Sequence, residues 1–162
     1  MKRISILSIV IALIVSLLSA CSFNTKTVKY SSKDLDKIKQ ATKYGLTASL
    51  TYSYETTTGN EGTEYFTERL IEEVHETKDE IPGVIQARKN MQIVTETNIT
   101  NIRNIEIVDE NHATAIADYK EKTTSNMKDK YNHNWTGYFD VKLKKESGKW
   151  LIDDFQTHTY IQ

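Results

Sequence analysis

The chain has one cysteine and one proline in 162 residues, with six scattered glycines. A lone thiol cannot close an intrachain disulfide, so stability must come from packing. Pro and Gly are too scarce for a long disordered stalk, and the composition reads as an ordered domain. No Gly-rich phosphate loop is present. His75, His112, His133 and His158 lack metal-ligand spacing such as His-x-x-x-His. Nothing in these residues asks for a metal or a cofactor. An excess of positive charge is missing too. With 21 basic side chains against 22 acidic ones, the chain has no electrostatic reason to seek nucleic acid.

The most informative segment is the first. Lys2 and Arg3 form a short positive head, and Ile4 to Ala20 is an uncharged, mostly apolar run. A basic start, an apolar stretch and small residues before a cut site describe a secretory signal. Leu18-Ser19-Ala20-Cys21 resembles the lipobox of bacterial lipoproteins, in which the cysteine sulfur is acylated and the chain is cut between Ala20 and Cys21. The resemblance implies a diacylglyceryl-type lipid on Cys21, the sole cysteine, holding the protein on the extracytoplasmic face of a cell membrane. Two other readings of the run are an uncleaved transmembrane anchor and a plain signal followed by an unrelated cysteine. Heavy use of Lys, Ile, Asn and Thr points to an AT-rich, Gram-positive source. The tail of the run, Ile14 to Ala20, is also similar to peptide pheromones released from lipoprotein signals, as nearly any such signal is.

Removing the first 20 residues leaves 142, enough for one domain with its own core. Losing Lys2 and Arg3 takes the basic count from 21 to 19 against 22 acids, a net charge of −3. Residues 21–32 read as the lipidated cysteine and a polar tether, and 33–162 as a single domain. Ser31, three residues before Asp34, has the form of a capping box. Leu35, Ile38, Ala41 or Thr42, Gly45 or Leu46, and Leu50 then recur at helical spacing, which predicts a helix from about Ser32 to Tyr52. Thr63 is placed to cap a second helix bearing Phe66, Leu70, Ile71 and Val74 on one face. Pro82-Gly83 kinks it or starts a short third helix through Arg88.

The period then changes to two. Ile93 to Val108 nearly alternates, with Ile99, Ile102, Ile105 and Ile107 needing one bulge to share a face. Ala113, Ala115, Ala117 and Tyr119 occupy one face of the next strand, and residues 123–129 make a polar connection. His133, Trp135, Gly137, Phe139, Val141 and Leu143 alternate with polar partners along a third strand. Glu146 to Lys149 turns the chain into a final strand, Trp150 to Thr159. The expected architecture is α+β, with N-terminal helices packed on a curved four-stranded antiparallel meander.

This order, with Gly148-Lys149-Trp150-Leu151-Ile152-Asp153-Asp154-Phe155 as closing hairpin, resembles the cone-shaped fold of nuclear transport factor two. Among membrane-tethered members it is similar to the assembly-factor domain of conjugative type IV secretion systems. That resemblance implies a conjugation-associated or exclusion role, with envelope proteins as partners, although the usual anchor of that family is a transmembrane helix. Cone-fold isomerases and dehydratases line their cavity with Asp, His and Tyr. Tyr119, His133 and Asp154 would be the corresponding cavity candidates here, for chemistry or for a small apolar ligand. Each also has a plain structural reading: Tyr119 as ordinary strand packing, His133 as a residue near a strand end, and Asp154 as part of a bend. Among many tyrosines, Tyr138, Tyr131 and Tyr160 are candidates for an interaction surface, because tyrosine joins large area to a polar tip. Tyr138 leads, since alternation puts it opposite Trp135 and Phe139. Three functions follow in order: a protein-interaction module, a ligand-binding module, and an enzyme.

Overall fold

The computed structural model describes residues 31–58, 60–76, 81–127 and 132–160. The signal, the lipobox Leu18 to Cys21, the tether before Ser31, and Tyr131 lie outside the described residues. No helix among the described residues is long and apolar enough to cross a membrane.

Helix α1, Ser32–Leu50, begins as its sequence predicts. The Asp34 N–H donates to Ser31 Oγ at 3.2 Å, and Ser31 Oγ donates back to the Asp34 carboxylate at 3.0 Å. Ile38, Ala41, Thr42, Gly45 and Leu46 form its buried stripe. Gly45 is required there, because a Cβ would stand 2.8 Å from both Ile152 Cδ1 and Tyr65 Cβ. Asp34 also accepts from Lys145 Nζ at 3.2 Å and Trp150 Nε1 at 3.3 Å, which pins the start of α1 to the last hairpin.

The sheet has five strands, not four. After α1 the chain enters β1, Tyr52–Ser53, which pairs with Val94 and Thr95. Two residues are too few to show a period, so the predicted helix ran over this strand. A 3-10 turn, Thr63–Tyr65, precedes α2, Glu68–Glu76. Thr67, rather than Thr63, caps α2: its Oγ1 accepts from the Leu70 N–H at 3.3 Å. Helix α3, Ile81–Asn90, carries Pro82 in its first turn, where a missing N–H costs nothing.

Strands β2 (Ile93–Ile107), β3 (His112–Ser125), β4 (His133–Glu146) and β5 (Lys149–Tyr160) follow as an antiparallel meander in the order β1-β2-β3-β4-β5. Strand β2 has two register shifts where one was expected, and Asn104 in the second has φ 52°. Asn tolerates that left-handed conformation better than most residues. Strand β3 runs on to Ser125, beyond its predicted end.

The helices cover one face of the sheet. There Ile38, Leu46, Ala117, Phe139, Val141, Leu143, Trp150 and Ile152 are buried in one cluster. Farther along the same face the lining turns polar. Thr95 and Thr123 are buried, with hydroxyls 3.0 Å apart. Helix α3 meets this end at Tyr52, whose Oη donates to the Ile85 carbonyl at 3.3 Å and whose ring centre lies 5.0 Å from the Arg88 guanidinium. Trp135 stays 48% exposed, although alternation assigns it to the covered face.

Candidate interaction surface

The opposite face of the sheet carries no helix among the described residues, and its side chains hold one another. Tyr138 is half-buried and stacks on the His158 ring, with centroids 4.5 Å apart and planes at 11°. The two residues are directly paired across β4 and β5. Tyr160 stands 6.0 Å from Tyr138, and 53% of it remains exposed. On the other side the Arg103 guanidinium lies 5.8 Å from the Tyr138 ring centre, within cation–π range.

Arg103 is itself fixed. Its Nε donates to both Asp118 oxygens at 3.2 and 3.1 Å, and Nη2 donates to Oδ1 at 3.1 Å. The Asp118 carboxylate raises the Arg103 pKa further, so the guanidinium is charged at any physiological pH. Asp140 Oδ2 stands 2.9 Å from His158 Nε2, close enough for a charge contact but not aligned as a hydrogen bond. A groove of about 280 Å³ continues the surface past Asp140 to Ile116, Thr114, Lys142 and Asn104. The arrangement is an aromatic ladder flanked by oriented charges, which suits recognition of another protein. Sequence alternation identified Tyr138 and its face. Arg103, Asp118 and His158 were not singled out, because only the cross-strand register brings them to it.

The three cavity candidates are not brought together. Tyr119 is 3% exposed, stacks on Phe139 at 4.5 Å, and its hydroxyl pairs with Thr159 Oγ1 at 3.0 Å. His133 opens β4 and stacks on Trp135 at 4.0 Å, with Glu121 Oε1 4.0 Å from its Nε2. Asp154 falls on the open face. A bulge at Asp153 shifts the register between Lys142 and Leu143, so Asp154 pairs with Lys142 at 2.8 Å instead of following Trp150 and Ile152 inward. His133 and Lys142 are nine residues apart on one strand, about 30 Å.

Asp153, the bulged residue, accepts from Thr67 Oγ1 at 2.9 Å and Arg69 Nε at 3.2 Å. Arg69 Nη2 also donates to its carbonyl. Burial alone would raise the Asp153 pKa, but the Arg69 and Thr67 hydrogen bonds outweigh it and the net direction is down. No group of three or more His, Cys, Asp or Glu that could hold a metal occurs among the described residues.

No protein family and no curated protein matches the chain by sequence. Solved structures do. An IcmL-like type IV secretion system protein from Legionella pneumophila superposes with a TM-score of 0.57 at 12% identity, over 82% of this chain and 96% of that one. The periplasmic domain of DotI superposes with a TM-score of 0.54 at 11% identity, over 82% of this chain and 98% of that one. At these identities the likeness is one of fold, an α+β domain with helices on a curled antiparallel sheet.

Proposed function

We propose that this chain is an extracytoplasmic interaction module, lipid-anchored through Cys21, that docks on an envelope protein by the open face of its sheet. The carrying observation is the fold shared with an IcmL-like type IV secretion system protein and with the periplasmic domain of DotI, over nearly the whole length of each. The lipobox in the sequence adds an address on the membrane surface. The finer reading, a place in conjugation or secretion machinery with a cone-like domain of the nuclear-transport-factor-two type, rests on the same likeness. Fold alone does not carry function, so the surface must be tested directly. Crosslinking and affinity capture of the tagged chain from its own membranes, beside Cys21→Ala, supplies the test. Envelope proteins that co-purify with the anchored chain and are lost with the anchor support the reading. Capture of no envelope protein by the anchored chain overturns it.

A further inference from the structure

The outer side of α1 has a charge sign of its own. Lys33, Lys37, Lys39 and Lys43 are all exposed on it, around Gln40 and Tyr44. Among the described residues none of the four makes an ion pair, and the one ion pair of this helix is Asp34 with Lys145. The helix has two carboxylates. Asp34 is turned to Lys145 and Trp150, which leaves Asp36 alone among the lysines. A chain whose mature net charge is −3 thus presents a surplus of three positive charges on one helix face.

That helix is also the element nearest the anchor. Ten residues lie between Cys21 and Ser32, eleven steps of chain or about 40 Å at full stretch, so α1 is held within reach of any bilayer that holds the lipid. A lipid anchor at one residue leaves orientation free, and lysines clustered near it are attracted to anionic headgroups.

We infer that the lysine face of α1 lies on anionic phospholipid headgroups of the membrane carrying the anchor, setting the domain's orientation. This rests on the anchored reading above. Because α1 covers one face of the sheet, the orientation turns the other face, with Tyr138 and Arg103, away from the bilayer and towards partners. Attraction of this kind acts over about a Debye length, so it weakens as salt rises.

The test uses the mature lipidated chain with Gln40→Cys, or with Gln156→Cys on the open face as the contrasting site. Acylation blocks Cys21, leaving one thiol to carry a fluorophore. Each protein is reconstituted in vesicles of phosphatidylcholine alone or with one-third phosphatidylglycerol, both containing a headgroup-linked quencher. The Gln40 label should be quenched in the anionic vesicles and released in neutral ones, at ~1 M salt, and when the four lysines are replaced by glutamine. The Gln156 label should be unquenched throughout. Equal quenching of the Gln40 label in both vesicles, or stronger quenching at Gln156, overturns the inference. Intact mass of the same preparation reports the anchor separately. Were Cys21 found unmodified, the anchored reading would fail, and the contrast between the two labels in a Cys21→Ala background would still decide the orientation.

Discussion

The two faces of the sheet are built from the same strands, residue by alternate residue, yet they are held by different physics. On the covered face, Ile152, Val141 and Leu143 are excluded from water and packed in one cluster with Ile38 and Leu46 of α1. On the open face, Tyr138, His158 and Arg103 keep part of their surface in solvent and are fixed by stacking and ion pairs. Burying apolar area stabilises a fold strongly, whereas exposed ion pairs contribute about 0–1 kcal/mol. The covered face is thus the source of stability. The open face is ordered by weaker, partly solvated contacts.

Substitutions can break this contrast, and the largest effect is expected at Gly137. A Cβ there would meet the His158 carbonyl oxygen and lie 2.9 Å from Tyr119 Cε1. Gly137→Val should cost more than about 3 kcal/mol or prevent folding, because one obstacle is backbone. Expression and urea denaturation report it. Ile152→Ala, at a fully buried site, should cost about 3 kcal/mol in the same denaturation curves. Thr67→Val removes the α2 cap and the bond to Asp153, and should cost about 1–2 kcal/mol.

The Asp153 contact also predicts a pH dependence. Its carboxyl has a lowered pKa in the fold. The stability it contributes is therefore fully present above the ordinary carboxylate value of 3.8 and lost as pH falls through the lowered one. Melting temperature should drop on acidification below pH ~4, and Arg69→Ala should flatten that part of the profile. The smallest stability effect is expected on the open face. Tyr138→Ser should cost about 1 kcal/mol or less while abolishing partner capture. A large loss of stability there would erase the distinction between the faces.

Much of this architecture was legible in the residues. The Ser31 and Asp34 pair marks the start of α1, and the alternation through Ala113 to Tyr119 and Gly137 to Leu143 assigns both faces of the central strands. What escaped depends on contacts distant in sequence. Strand β1 exists only through its pairing with Val94 and Thr95. The bulge at Asp153 is secured by Thr67 and Arg69, more than 80 residues earlier, and it turns Asp154 to the face opposite the one alternation assigns. Trp135 shows a further limit. Period identifies a residue's face, but not whether a helix extends far enough to cover it.

The surface is tested most directly by a photo-crosslinking amino acid placed at Tyr138 in cells, beside the same residue placed at Trp135. Both sites are solvent-accessible, and they lie on opposite faces of one strand. A discrete adduct with an envelope protein from position 138, absent from 135, is the predicted result. An adduct from 135 alone, or none from 138, would contradict the assignment of the open face as the site of partner contact.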